Sequence, residues 1–167
     1  MKKALLVIDM QNEMIGEKHA PQFNYNAETL LQSVNEVIDV NKSNMVVYIK
    51  HITKKNLINK FASFHTYEGT ENAELVPSLH IISDYVLSKH KGNAFSNPQL
   101  RNLLNEHNIE CVEVIGIDGG WCVSLTAIGA VKAGYRVIMN ESAIGTIYHK
   151  RKEVFSKKLR NANVKFI

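Results

Sequence analysis

Three mostly apolar runs constrain this chain more than any other feature: residues 4–9 (ALLVID), which ends in an acid, residues 45–49 (MVVYI), and Cys111–Ile117 (CVEVIGI), broken only by Glu113. A strand with one face in water alternates apolar and polar residues. A run without alternation belongs to a strand buried on both faces, as in a parallel sheet. The segments between have helical character. Leu30, Leu31, Val34, Val37 and Ile38 recur at helical spacing and predict an amphipathic helix over residues 26–41. Residues 85–88 predict a short third strand. Pro98 opens a helix carrying Leu100, Leu103 and Leu104, as a first-turn proline can. Residues 121–133 predict a helix whose Ala127, Gly129 and Ala130 allow close packing on a sheet, with Gly134 suited to its C′ position. A fifth strand at residues 136–139, a helix at 149–160 and a sixth strand at 164–167 complete the pattern. Residues 51–83 are weakly periodic and are expected to hold a short helix and loops. Strands alternating with helices imply a three-layer α/β/α architecture with a mainly parallel six-stranded sheet, over residues 1–167 as one domain.

Composition narrows the function classes. At 167 residues, 45% hydrophobic and 22% charged, the chain is an ordinary globular sequence long enough to bury a core. No apolar run approaches the roughly 20 residues of a membrane helix. The start, MKKALLVIDMQ, has the charge of a signal peptide, but Asp9 interrupts its apolar run after five residues. A cytoplasmic protein without membrane partners is expected. The net charge of +4 comes from scattered clusters, Lys54-Lys55, Lys150-Arg151-Lys152 and Lys157-Lys158 with Arg160. They are not interleaved with aromatics as a nucleic-acid surface would be, so they read as solvated surface and no nucleic-acid partner is expected. Cys111 and Cys122 lie at opposite ends of a strand, too far apart for a disulfide, and no zinc-type spacing occurs.

In open parallel sheets ligands bind beyond the carboxyl ends of the strands. Three reactive side chains fall there: Asp9 after the first strand, Lys89 after the third and Cys122 after the fourth. Cys122 opens a helix behind the loop Asp118-Gly119-Gly120-Trp121. A helix N-terminus and a nearby ammonium both favour thiolate, and the two glycines let backbone N–H groups approach a ligand. On position alone Cys122 is equally a small apolar residue packed under its helix. Asp9 is costly to bury without a partner. It could be a base, a cap or a salt-bridge partner, and Gln11 stands where a phosphatase would place a second acid. Lys89, beside His90 and Lys91, also fits an exposed basic turn. Trp121, Phe95 and Phe23 are candidate pocket walls or plain core.

The sequence resembles the isochorismatase-like cysteine hydrolases, which include nicotinamidases, carbamoylsarcosine amidases and isochorismatases. The resemblance is carried by ALLVIDMQN (4–12), ELVPSL (74–79), VLSKHKGNAF (86–95) and VIGIDGGWCVSLTAIGAVKAGYRV (114–137). It implies Asp9 as general base, Lys89 (six residues before Phe95) as its partner and Cys122 as nucleophile. It also implies a cis peptide at Ile117–Asp118, an oxyanion hole from the backbone N–H groups of Asp118 and Cys122, and a homodimer or larger oligomer. Nicotinamidases carry an Asp-x-His metal motif after the second strand. Here that segment is Ile49-Lys50-His51, and His51, His65 and His80 form no ligand set, so no metal or other cofactor is expected. Thr is common where this chain has Gly119, and an aromatic where it has Met14. The expected activity is hydrolysis of a small carboxamide or related C–N bond through a cysteine thioester. Vinyl ether hydrolysis is the alternative within the family, and a non-catalytic anion-binding module the alternative outside it.

Overall fold

A computed structural model of the chain describes residues 1–55, 59 and 64–167. Six strands, β1 (Lys3–Ile8), β2 (Met45–His51), β3 (Val86–Lys89), β4 (Cys111–Ile117), β5 (Arg136–Gly145) and β6 (Lys165–Phe166), form one sheet. Their spatial order is β3-β2-β1-β4-β5-β6 and every neighbouring pair is parallel. The helices are α1 (Asn12–Ile15), α2 (Ala27–Val40), α3 (Pro98–Glu106), α4 (Cys122–Lys132) and α5 (His149–Asn161).

The central strands show why the apolar runs do not alternate. Ala4, Leu6 and Ile8 of β1 enter a core with Leu100, Leu104, Val123, Ala127 and Leu159. Leu5 and Val7 enter a second core with Leu30, Val34, Val37 and Ile38. Thus α3, α4 and α5 cover one face of the sheet and α2 the other, and each residue of β1 beyond Lys3 is buried on one side or the other. Among the described residues no helix is long and apolar enough to cross a membrane.

Local signals set the element ends. Asn26 caps α2, its side chain accepting from the N–H of Thr29 at 3.0 Å. Asn26→Ala is expected to lower the unfolding free energy by about 1 kcal/mol, seen as a lower urea midpoint at unchanged slope. Gly134, at φ +93°, closes α4 in a Schellman arrangement, with Tyr135 N–H donating to Ala130 and Gly134 N–H to Val131. In residues 51–83 the described part holds a 3₁₀ turn at Glu71–Ala73 among loops; residues 56–58 and 60–63 lie outside the description.

One boundary differs from expectation. β5 does not end at Met139 but runs on to Gly145. Asn140-Glu141-Ser142 is polar, yet the ladder slips between Val114 and Gly116 and resumes with Gly116 opposite Ile144. A register irregularity lets polar residues interrupt a strand without ending it. This extension carries Thr146 to Tyr148 to the carboxyl edge of the sheet.

The strand order creates the site. The chain starts mid-sheet, builds outward through β2 and β3, then returns to place β4 on the other side of β1. The β1–β4 pair is therefore the topological switch point, where such sheets open a crevice. Gly116 belongs to this junction. Its φ is +107°, and a Cβ there would overlap the backbone of Ile8.

Candidate active site

Asp9 follows β1 directly, and its N–H donates to the carbonyl of Ile49 at 2.8 Å. Its φ of +55° is a left-handed conformation that costs a non-glycine residue about 1–2 kcal/mol and is concentrated at functional sites. Lys89 ends β3, opposite His51 in the ladder. Its side chain crosses the end of β2 to reach Asp9, and both residues are only 1% exposed.

The Lys89 ammonium meets three acceptors. Nζ lies 2.7 Å from Asp9 Oδ2, 3.3 Å from Cys122 Sγ and 3.5 Å from His51 Nδ1. Asp9 Oδ1 is buried without a hydrogen-bond partner. The structure therefore brings Asp9, Lys89 and Cys122 into one cluster, although 80 residues separate Asp9 from Lys89.

The turn before α4 presents the cysteine. The amides of Trp121 and Val123 donate to the Asp118 carbonyl, that of Gly119 to Gly145, and that of Gly120 to the Asp118 side chain. The amides of Asp118 and Cys122 are not among these bonds. Neither loop glycine has a positive φ. They are needed for close approach, since a Cβ at Gly120 would collide with the Tyr148 backbone and one at Gly119 with the Thr146 hydroxyl. The peptide Ile117–Asp118 is cis.

Burial dominates the electrostatics. Desolvation alone would lower the Lys89 pKa, but Asp9 and then Cys122 outweigh it, and the pKa is raised. Desolvation pushes the Cys122 thiol up, Asp9 pushes it further, and Lys89 only partly opposes them. Lys89 still pulls towards thiolate, as expected, but burial and Asp9 outweigh it. One buried cation faces two acids, and a second negative charge at the same place is costly. Burial and Asp9 thus favour the protonated thiol, which lies in the same cluster as a carboxylate able to receive its proton.

His51 is drawn into this balance. Burial first, then the Lys89 ammonium, lower its pKa from 6.5 to about 4, against an opposing pull from Asp9. Between these values the unfolded chain binds the proton that the folded protein refuses. Stability is therefore full above about pH 6.5 and falls as pH drops towards 4, by up to about 3 kcal/mol from this group. Urea denaturation across pH 4–7 is expected to show that slope, and His51→Gln to flatten it.

Two further residues were not singled out by sequence. Gln11, read only as a missing second acid, is fully buried. Its Nε2 donates to the carbonyls of His51 and Ala73 at 3.0 and 2.7 Å, and its Oε1 accepts from His51 N–H at 2.7 Å. It clamps the end of β2 beside Lys89. Arg151, counted among the solvated cations, lies with its guanidinium carbon 3.7 Å from the Trp121 ring centre. Their signals were faint: an amide two residues after Asp9, and a cation in the first turn of a helix.

A cavity of about 320 Å³ opens over the cluster. Asp9 and Cys122 face it, Met14, Phe23, Phe64, Ile117, Trp121 and Ile147 supply mostly apolar walls, and Asp118, Tyr148 and Arg151 also line it. Of the three aromatics considered from sequence, Phe23 and Trp121 line this cavity and Phe95 does not. Phe95 packs in the α3–α4 core, its ring 5.7 Å from that of Tyr135.

The donor set does not fit a metal of the nicotinamidase type. Ile49 stands where the carboxylate would be, the Lys50 ammonium pairs with Glu74 at 2.8 Å, and His51 Nδ1 faces the Lys89 ammonium. Among the described residues no three His, Cys, Asp or Glu side chains are grouped to hold an ion.

Comparison with known proteins decides the family. The model of the isochorismatase domain matches residues 3–167. The chain belongs to the isochorismatase family. Isochorismatase-family relatives include the uncharacterized protein YddQ of Bacillus subtilis, 29% identical over 87% of this chain and 79% of that one. A probable inactive nicotinamidase of Arabidopsis thaliana is 27% identical over 86% and 81%. Among solved structures, N-carbamoylsarcosine amidase from Thermoplasma acidophilum superposes with a TM-score of 0.82 at 29% identity, covering 99% of this chain and 95% of the other. The expected six-stranded isochorismatase-like fold is the one found. The family is one of hydrolases, amidases among them.

Proposed function

We propose that the protein hydrolyses a small carboxamide or related C–N bond through a thioester on Cys122. The observation that carries this reading is the contact of one buried ammonium with both a carboxylate and a thiol at the floor of the cavity. The likeness to N-carbamoylsarcosine amidase supports it.

The chemistry follows from the cluster's charge. A thiol of raised pKa is a weak nucleophile until its proton leaves, so Asp9 takes that proton as sulfur attacks the carbonyl carbon. Lys89 holds the resulting thiolate. The negative charge passes to the substrate oxygen, where the N–H groups of Asp118 and Cys122 would each contribute about 2.7–4 kcal/mol. Collapse of the tetrahedral adduct breaks the C–N bond. The nitrogen takes the proton held by Asp9 and leaves as ammonia or an amine. Water then gives a proton to Asp9 and attacks the thioester, the C–S bond breaks, and the acid departs as Cys122 regains its proton. Nicotinamide itself is not the proposed substrate, since the metal motif of nicotinamidases is missing here.

A panel of small primary amides tests the reading. Ammonia and acid are expected in equal amounts, and added hydroxylamine should divert the thioester to a hydroxamate. Ammonia release with no hydroxamate would contradict the covalent route. Pyruvate from isochorismate, with no amide hydrolysed, would replace amide chemistry by vinyl ether hydrolysis.

A further inference from the structure

Arg151 breaks a local rule. It sits with His149, Lys150 and Lys152 in the first turn of α5, which contains no acidic residue. That end of a helix carries the positive pole of its dipole, where cations are disfavoured. Such violations tend to mark sites kept for function rather than stability. Lys152 and Arg160 both pair with Glu141, but among the described residues Arg151 pairs with no carboxylate.

It is nevertheless held in place. The guanidinium carbon is 3.7 Å from the centre of the Trp121 ring and 5.8 Å from that of Phe155. Stacking uses the flat face of a guanidinium and leaves its in-plane N–H groups free to grip an anion in two-pronged fashion. Trp121 adjoins Cys122, and both line the same cavity as Arg151. The acids of that cavity are already engaged: Asp9 with Lys89, and Asp118 with the amides of Gly120 and Ile147. Arg151 is thus the one charge facing the cavity without an internal counterpart among the described residues. The apolar walls between, Met14, Phe23 and Ile117, suit a small hydrocarbon body.

We infer that the substrate is an amide bearing a carboxylate, and that Arg151 holds this second group while the amide carbonyl meets Cys122. This rests on the hydrolase reading above and narrows its substrate class to small anionic amides.

Two alkylating agents that differ in this one respect provide the test. Iodoacetate is an anion and iodoacetamide its neutral counterpart; each forms an S–C bond with a cysteine as iodide leaves. Their rates at Cys122, read by peptide mass spectrometry, are compared with those of free glutathione. The iodoacetate-to-iodoacetamide ratio is expected to exceed that of glutathione by roughly fivefold, the upper range for an exposed ion pair. R151Q should return the ratio to the glutathione value and R151K should keep most of the preference. A parent ratio equal to that of glutathione, or one unchanged in R151Q, overturns the assignment. If Cys122 ignores both reagents, the thioester mechanism fails, and the anion site is decided separately through Trp121, the only tryptophan. Benzoate should then shift its fluorescence at concentrations about fivefold lower than benzamide, and R151Q should erase the difference. Equal binding of the two, or none, overturns the proposal by that route.

Discussion

Cys122→Ala is expected to lower amide turnover by roughly 10⁴-fold or more while the protein stays folded. The magnitude follows from losing a covalent nucleophile whose partners act only through it. The fold survives because the substitution removes a sulfur atom, not a charge: Lys89 keeps its 2.7 Å bond to Asp9. Cys122 is buried at the edge of the core, and trimming one sulfur there leaves only a small void, so a change of about 1–2 kcal/mol in unfolding free energy is expected. Ammonia release and a urea titration on the same sample check both halves. Activity retained within tenfold would remove Cys122 from the chemistry.

Lys89→Met has the opposite signature, a large loss of stability alongside the loss of activity. Methionine fills much of the same space but leaves the Asp9 carboxylate buried without its cation. Breaking a buried pair on one side typically costs about 3–5 kcal/mol. Adding Asp9→Asn should recover much of the loss, because the charge is then gone with its partner, and a double-mutant cycle measures the coupling. A Lys89→Met protein as stable as the parent at pH 7 would mean that the pair contributes nothing to the fold.

What could be read in the sequence follows a physical boundary. β1 was legible because burial on both faces leaves a mark in every consecutive residue, and the end of α4 because glycine suits the C′ position that Gly134 takes. Asp9, Lys89 and Cys122 could be placed at strand ends, and the parallel sheet then brings those ends together. Their mutual geometry could not be read, because Lys89 reaches Asp9 only by passing over the end of β2, a relation fixed by the pairing of Lys89 with His51. The full length of β5 was hidden by a register slip that depends on its neighbour β4. Phe95 and Phe23 look alike in sequence, and the faces of the sheet their segments pack on decide which one lines the cavity. Arg151 resembled its basic neighbours until Trp121 came to lie beneath it. The protonation of Cys122 depends on how deeply three groups are buried together, which no single segment encodes.

Alkylation of Cys122 by iodoacetamide at neutral pH, with the buried Cys111 as internal reference, most directly tests whether Asp9 and Cys122 work as a unit. A thiol of raised pKa reacts slowly by itself, so speed must come from the carboxylate beside it. Cys122 is expected to be labelled at least about tenfold faster than Cys111 in the parent and to lose that advantage in Asp9→Asn. Labelling of Cys122 no faster than Cys111, or a rate indifferent to Asp9→Asn in a protein that remains folded, would contradict the assignment of Asp9 as its base.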